Sequence, residues 1–270
     1  MAAAFTASGV ITLTTDFGHT EPFVGVMKGV ILTRFREARI VDLTHEIPRY
    51  SPGEAGFWLS RCFEYFPSGT VHVAVVDPGV GTARDIVGVC CRGHVLLAPD
   101  NGLLMPIVRR DPQATIVRLA APALALLGLS RPSATFHGRD IFAPVAAQLA
   151  AGRLELGALG PLAGELAPSP FADPVSEGRS LQGTVVTVDH FGNLITDIEA
   201  LRLEGFRHPR VKVAGRELRV LRTYGEANAG ECLALINSFG LLEIAQSGGS
   251  AALTLSVGRG SVVRVQDESP

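Results

Sequence analysis

An acidic residue, a glycine-rich stretch and a basic residue follow one another in the segment that begins at Asp77. Arg84 lies seven residues further on, and Gly79 and Gly81 stand between the two. Because glycine permits unusual backbone angles and close ligand approach, this loop could fold back and pair the two charged side chains. Two interpretations stay open, a structural ion pair that braces the loop or a pair that serves a reacting group. No Gly-Lys-Ser/Thr follows, so the segment is not a P-loop.

Two further polar positions could take part in chemistry. His137 lies in the segment TFHGRD (135–140), where a histidine beside Gly, Arg and Asp could be structural or could act as a general acid or base. Asp16 directly follows the first predicted strand, and ligands of open α/β sheets gather at the carboxyl ends of strands. A carboxylate there can accept both hydroxyls of a ribose, although a turn or helix cap would also explain an aspartate before Gly18.

The elements that must position these residues alternate between strand and helix patterns in the first half of the chain. This order predicts an α/β domain with a mostly parallel sheet and flanking helices. The predicted strands lie at 10–15, 39–43, 70–76, 86–91 and 94–98, and the predicted helices at 22–35, 52–63 and 140–151.

A proline-rich stretch at 161–180 separates the two halves of the chain. We predict an N-terminal α/β domain at 1–165, a linker at 166–180 and a C-terminal domain at 181–270. The C-terminal part consists of short strands divided by Gly and Asn, which predicts a small β-barrel or sandwich. Its predicted strands lie at 182–189, 211–213, 217–221, 232–236, 241–245, 252–256 and 261–265. The segments DHFGN (189–193) and NSFG (237–240) are typical of turns between strands.

The bulk composition argues against several classes of protein. The formal net charge is −2 and no basic patch stands out, so nucleic acid is not an expected partner. The four cysteines include no CxxC pair, which argues against a zinc or redox site and for reduced thiols in the cytoplasm. We recognise neither a signal peptide nor a run of the roughly 18 apolar residues that a membrane span requires. A cytoplasmic protein without a membrane partner is therefore expected.

Seven segments of the chain resemble, in their order, the S-adenosylmethionine (SAM) hydroxide adenosyltransferases, which are relatives of the fluorinase and chlorinase enzymes. They are TTDFG (14–18), DLTHEI (42–47), VDPGVGTAR (76–84), APDNGLL (98–104), TFHGRD (135–140), DHFGN (189–193) and NSFG (237–240). The resemblance implies hydrolysis of SAM to adenosine and L-methionine by attack of water or hydroxide at C5′ of the ribose. It also implies an α/β domain followed by a small antiparallel β-barrel, and a homotrimer with the substrate between subunits.

The resemblance implies a catalytic trio of Asp77, Arg84 and His137. Fluorinases carry Tyr at the position of Asp77 and Tyr-Ser at that of His137-Gly138. At these positions the chain therefore resembles the hydrolases and not the fluorinases. Asp16 is implied as the ligand of the ribose diol. Tyr50 stands where the halogenating relatives place an aromatic side chain beside the sugar. Neither a metal nor a cofactor is implied, because the leaving group of SAM is already cationic.

The remaining implied ligands lie in the C-terminal half of the chain. Asp189 and Ser238 resemble the partners of the methionine amine and carboxylate. Phe191 and Asn193 resemble contacts of the adenine, with Tyr224 as a stacking neighbour.

Two departures from the halogenating relatives leave alternatives open. Phe239 and Gln246 replace arginines of the fluorinases, which leaves the anchoring of the methionine and adenine ends undecided.

A halide-dependent adenosyltransferase and a non-catalytic adenosine- or SAM-binding protein are the rival functions. A metallohydrolase is a weaker rival, because no HExxH or similar ligand spacing is present.

Overall fold

The computed structural model describes residues 5–268, which divide into two compact units with the boundary between Phe171 and Ala172. The strands of the first unit are β1 (Val10–Thr15), β2 (Arg39–Thr44), β3 (Val71–Val75), β4 (Ile86–Cys91), β5 (His94–Pro99) and β6 (Thr115–Arg118). Its helices are α1 (Phe23–Arg34), α2 (Pro52–Cys62), α3 (Met105–Val108), α4 (Ala121–Leu126) and α5 (Ala143–Ala150).

The first unit is built on one six-stranded sheet of order β2-β1-β3-β5-β4-β6. Strands β2, β1, β3 and β5 run parallel, and β4 pairs antiparallel with β5 and β6. The predicted mostly parallel sheet with flanking helices is therefore confirmed. Because β1, β2 and β3 run parallel, the loops that follow them begin at the same edge of the sheet.

Apolar side chains cover both faces of this sheet. On one side, Met27 of α1 and Leu149 of α5 pack with Leu13 of β1. On the other side, Leu59 of α2 packs with Ala74 of β3. All five side chains are fully buried. Close packing on both faces of the sheet therefore fixes β1 and β3, the strands that end at the loops of Asp16 and Asp77.

The predicted helix at 140–151 differs from the structure at its beginning. Residues Gly138–Phe142 form a π-helical turn, in which the N–H of Ala143 donates to the carbonyl of Gly138, and α5 follows. Pro144 explains why a regular helix cannot run through this segment, since its nitrogen has no hydrogen for the carbonyl of Asp140. Wider turns of this kind are frequent at functional sites, and this one directly follows His137.

The second unit is an antiparallel barrel-like sheet of order β11-β10-β14-β8-β9-β13-β12, with β7 paired to β8. Its strands are β7 (Val175–Glu177), β8 (Ser180–Val188), β9 (Leu194–Glu199), β10 (Pro209–Val213), β11 (Arg216–Arg219), β12 (Cys232–Ile236), β13 (Leu241–Gln246) and β14 (Val262–Asp267). After β11, Val220 bridges to Ala234 of β12, and the N–H of Leu221 donates to the carbonyl of Ala234 at 2.8 Å. The sheet is thus nearly closed, and the predicted C-terminal β-barrel is confirmed.

One predicted strand of this unit is wrong, and two observed strands were not predicted. Residues 252–256 lie in a short helix, α6 (Ala251–Leu255), and not in a strand. The hydroxyl of Ser250 caps this helix by accepting from the N–H of Leu253, and Ala251 and Leu255 are buried one helical turn apart. The unpredicted strands are β7, which lies in the predicted linker, and β9, which follows the turn at 189–193.

Candidate active site

A cavity of about 290 Å³ lies in the first unit, where the loops after β1 and β3 meet the segment before α5. Asp16, Tyr50, Asp77 and His137 line it. Arg84 is hydrogen-bonded to two of these residues. The structure therefore brings all five site residues that were predicted in the N-terminal half into one place.

Asp77, Arg84 and His137 form one connected group at this cavity. The Nε of Arg84 lies 3.0 Å from both carboxylate oxygens of Asp77, and its Nη2 donates to Oδ2 of the same carboxylate. The same Nη2 lies 2.7 Å from Nδ1 of His137. The side chains of Asp77 and Arg84 are only 4% and 11% exposed. A guanidinium fork matches a carboxylate in this way, so the pair is strongly oriented.

Glycine makes this arrangement sterically possible. Gly81 has φ +77°, and a Cβ built on it would lie 2.1 Å from the carbonyl oxygen of Ala134. Only glycine combines this backbone angle with such a close approach. The loop that begins at Asp77 can therefore lie directly against the segment that carries His137.

The contact with Arg84 determines the hydrogen position on His137. A guanidinium only donates, so Nδ1 of His137 must accept, and a neutral ring then carries its hydrogen on Nε2. Burial and the nearby Arg84 guanidinium lower the pKa of His137 below its usual range, while Asp77 and Asp140 act in the opposite direction. The neutral ring thus presents an N–H donor through the nitrogen that Arg84 leaves unused.

Asp16 and Tyr50 are connected through the backbone. The N–H of Tyr50 donates to Oδ2 of Asp16 at 3.0 Å. Tyr50 has φ 62°, a left-handed conformation that is uncommon for a side chain of this size, and its side chain is exposed. Strained conformations of this kind cluster at ligand sites, in agreement with the position of both residues at the cavity.

Three phenylalanines at the cavity were not singled out from the sequence. The rings of Phe17, Phe23 and Phe136 contact one another edge-to-face, with centroids 5.4 to 6.0 Å apart, and all three line the cavity. They give a charged cavity one apolar wall. The signal was present, because Phe17 and Phe136 directly follow and precede the polar residues Asp16 and His137.

In the second unit, Asp189 organises the turn between β8 and β9. Its Oδ1 accepts from the N–H groups of Phe191 and Asn193, both at 2.9 Å, and its Oδ2 accepts from Nδ2 of Asn193 at 3.0 Å. Asn193 is buried, whereas the ring of Phe191 is 74% exposed. The turn expected from the sequence is confirmed, and it presents an aromatic ring to its surroundings.

Tyr224 is exposed, and it is hydrogen-bonded to the buried Glu243, a residue that sequence analysis missed. The Tyr224 hydroxyl donates to Oε1 of Glu243 at 2.6 Å, and Nδ2 of Asn237 donates to Oε2 at 3.2 Å. Burial raises the pKa of Glu243, and the charge of Asp189 acts in the same direction. Ser238 follows Asn237 in the turn after β12 and is exposed. A single glutamate between the apolar residues of β13 was the available signal.

The replaced arginine positions differ in their surroundings. Gln246 donates through Nε2 to the carbonyl of Gly230 at 2.9 Å and accepts from the Thr254 hydroxyl at 2.8 Å. It therefore ties together three segments of the second unit. Phe239, beside Ser238, is 37% exposed.

Residues 5–268 contain neither a candidate metal-binding cluster nor a candidate membrane-spanning helix. No group of three or more His, Cys, Asp or Glu side chains in this range is placed to hold a metal ion. Among the helices of the same range, none has the length and apolar character to cross a membrane.

Known proteins match both units of the chain. Residues 11–160 match the model of the SAM hydroxide adenosyltransferase N-terminal domain, and residues 183–264 match that of the C-terminal domain. The crystal structure of an uncharacterized conserved protein from Thermotoga maritima superimposes with a TM-score of 0.87 at 36% identity. That alignment covers 95% of this chain and 99% of the other.

Curated relatives extend the match over nearly the whole chain. The (R)-S-adenosyl-L-methionine hydrolase of Thermus thermophilus is 41% identical over 93% of this chain and 97% of that protein. The protein of the same name from Salinispora arenicola is 40% identical over 94% and 97%. A fluorinase from Actinopolyspora mzabensis is more distant, at 25% identity over 95% and 96%. The resemblance inferred from the seven segments is confirmed, and the chain belongs to the SAM hydroxide adenosyltransferase family.

Proposed function

We propose that this chain is a hydrolase that converts SAM and water into adenosine and L-methionine. The observation that carries the proposal is the Asp77–Arg84–His137 group, joined by hydrogen bonds at the wall of the cavity. The names of the Thermus and Salinispora relatives support the same reaction.

The reaction is an in-line displacement at C5′ of the ribose. The oxygen of water forms a bond to C5′ while the bond from C5′ to the sulfonium sulfur breaks. The electron pair of the broken bond stays on sulfur, which becomes the neutral thioether of methionine. One proton leaves the attacking water. Because the leaving group is already a cation, positioning and deprotonation of water are the main tasks of the protein, and positioning alone can contribute about 7–11 kcal/mol.

The hydrogen-bond directions support different proposed roles for Asp77 and His137. His137 accepts from Arg84 through Nδ1, so its Nε2–H donates to the oxygen of the attacking water and orients it. Asp77 remains as the proton acceptor, since a carboxylate can accept about four hydrogen bonds and Arg84 does not use all of them. Arg84 orients Asp77 and His137 through its hydrogen bonds to both. A correctly placed acid or base contributes roughly 10²–10⁴ in rate.

The other predicted residues bind the substrate in this proposal. Asp16 accepts the ribose hydroxyls, with Tyr50 beside the sugar. The ligands from the C-terminal half are Asp189 and Ser238 for the methionine end, and Phe191, Asn193 and Tyr224 for the adenine.

The working enzyme is proposed to be a cytoplasmic homotrimer that needs neither metal nor cofactor. In this arrangement the N-terminal domain of one subunit and the C-terminal domain of its neighbour share each substrate molecule. Light scattering of the purified protein tests the trimer, and a dimer or monomer that is fully active would refute it.

Chromatography after incubation with SAM tests the reaction directly. Adenosine and L-methionine should accumulate in equal amounts, and Asp77→Asn should abolish this without removing the affinity for adenosine. Chloride or fluoride should not yield 5′-halo-5′-deoxyadenosine, because a carboxylate beside the nucleophile repels an anion. A halogenated product would favour the function of the fluorinase relative, and binding of SAM without turnover would favour a non-catalytic binder. Loss of turnover in excess chelator, restored by added metal, would refute the metal-independent mechanism.

A further inference from the structure

His45 is a fully buried histidine beside the proposed ribose site that has no role in the reaction described so far. It lies in the DLTHEI segment, after β2, and its Nδ1 is 2.8 Å from the hydroxyl oxygen of Thr15. Thr15 is the last residue of β1 and directly precedes Asp16. His45 therefore contacts the strand at the position where the proposed ribose ligand begins.

The surroundings of His45 determine the direction of this hydrogen bond. Its Nε2 lies 3.1 Å from Oδ1 of Asp42, which places the two groups in electrostatic contact. The other oxygen of Asp42 accepts from Nζ of Lys28 at 2.5 Å. A carboxylate beside Nε2 favours the hydrogen on that nitrogen. Nδ1 of His45 is then the acceptor, and the hydroxyl of Thr15 donates to it.

The loop that carries Asp16 is tied to the segment of His45 at several points. The hydroxyl oxygen of Thr15 accepts from the N–H of Phe17 at 3.2 Å. The N–H of Gly18 donates to the carbonyl of His45 at 2.8 Å, and the N–H of Tyr50 donates to the Asp16 carboxylate at 3.0 Å. Asp16 thus lies between two anchored neighbours and can hold one orientation only while those anchors persist.

The Thr–His–Asp series resembles a nucleophilic triad in composition, but burial excludes that role. Thr15 and His45 are both fully buried, and neither lines the cavity. A nucleophile must touch its substrate. The group can act on a ligand only through the loop that it fixes.

We propose that His45 is a positioning residue for Asp16. By holding the hydroxyl of Thr15, it fixes the loop so that the Asp16 carboxylate meets the ribose diol and C5′ reaches the water at Asp77. The proposal rests on the assignment of Asp16 to the ribose. It predicts that loss of His45 weakens the binding of ligands that carry the ribose hydroxyls and not of ligands that lack them.

The chain offers a matched control for this test. His72 is also fully buried, and its Nδ1 lies 2.8 Å from the hydroxyl oxygen of Thr12, three residues before Thr15 on the same strand. This second Thr–His pair does not line the cavity. His45→Phe and His72→Phe each remove a Thr–His contact on β1, and only the first removes an anchor of Asp16.

Calorimetric titration of the full chain with adenosine and with 2′,3′-dideoxyadenosine measures the effect. The loss of one anchoring hydrogen bond should weaken adenosine binding by about tenfold. Binding of the dideoxy compound should change little, so their affinity ratio should fall in His45→Phe and stay at the wild-type value in His72→Phe. His45→Asn should recover most of the ratio, because its side-chain oxygen can take the place of Nδ1. With SAM, KM should rise more than kcat falls.

Thr15→Val and Thr12→Val repeat the comparison if the larger substitutions fail to fold. An unchanged ratio in His45→Phe and Thr15→Val would overturn the proposal, as would an equal fall in the His72 and Thr12 variants. A wild-type protein that does not distinguish the two nucleosides would refute the assignment of Asp16 and this inference together. A protein that shows the expected ratios but makes no adenosine from SAM would refute the hydrolase function and leave the role of His45 supported.

Discussion

Replacing Arg84 with Met should affect folding and turnover in ways that can be separated. The side chain of Met keeps much of the apolar stem of Arg but removes the guanidinium. Asp77 then loses its bidentate partner, and His137 loses the donor at Nδ1. We expect the free energy of unfolding of the first unit to fall, and turnover to fall with it for a different reason.

The size of the stability loss follows from burial. Asp77 and Arg84 are 4% and 11% exposed, so the carboxylate of the variant would be an uncompensated buried charge. Removing one partner of such a pair typically costs about 3–5 kcal/mol. Because Asp77 lines an open cavity that water can enter, we expect about 3 kcal/mol, the low end of that range. At about 2–4 °C per kcal/mol for a domain of this size, the melting temperature should fall by about 6–12 °C.

Turnover should fall by at least about a hundredfold, because the proposed proton acceptor and His137 lose the guanidinium that orients them. Thermal unfolding followed by circular dichroism gives the first quantity, and chromatography of adenosine gives the second. The variant Arg84→Lys separates the effect on stability from the effect on turnover. A lysine restores a cation beside Asp77 but cannot contact both carboxylate oxygens and His137 at once. It should therefore recover most of the stability and little of the turnover.

The double variant Asp77→Asn/Arg84→Met provides the decisive comparison. It removes both charges, so it should melt higher than Arg84→Met alone while remaining inactive. If Arg84→Met melts at the wild-type temperature, or if the double variant melts no higher than the single one, the carboxylate does not depend on its cation and the reasoning is wrong.

Three other predictions can be tested with single variants or co-expressed chains. Burial lowers the pKa of His72 to about 3, so below pH 6.5 the unfolded chain binds a proton that the folded chain excludes. The contribution of His72 should therefore lower the free energy of unfolding by about 1.4 kcal/mol for each pH unit below 6.5, and His72→Phe should flatten this slope in urea titrations. Co-expressed Asp77→Asn and Asp189→Asn chains should regain about a quarter of wild-type turnover if subunits share sites, and none if each subunit works alone. Gly81→Ala should lower both stability and turnover, because its Cβ would meet the carbonyl of Ala134 at 2.1 Å, and unchanged values would contradict this account of the loop.

The positions of Asp77 and Arg84 in the proposed catalytic group could be predicted because both belong to a recognisable local signal. Asp77 follows a buried parallel strand, and such ends meet at one edge of a sheet. The glycines before Arg84 indicated a loop able to fold back, and the structure shows a bidentate pair there. The approach of His137 to that pair was not readable from spacing alone, since it depends on contact between two loops that are 53 residues apart. The family resemblance supplied that grouping.

The parts that could not be predicted depend on long-range packing. Residues 252–256 contain an alternation that suits a strand, but the hydroxyl of Ser250 caps a helix there and the buried side chains recur one helical turn apart. Glu243 stands in an otherwise apolar strand. Its importance is visible only when Tyr224, distant in sequence, donates to its carboxylate. Local patterns carry no information about such partners.

Three histidines of the first unit show that residue type and the hydrogen-bond partner of Nδ1 do not by themselves determine function. In His45, His72 and His137, Nδ1 lies 2.7 to 2.8 Å from a side-chain hydrogen-bond partner, so their first contacts are nearly the same. Their second nitrogens differ. In His45 it approaches Asp42, and in His72 it approaches a further buried histidine at 3.2 Å. His137 alone of the three lines the cavity, where its second nitrogen can donate to a reacting water. The surroundings of that second nitrogen distinguish the proposed catalytic histidine from those proposed to position a loop or to stabilise a core.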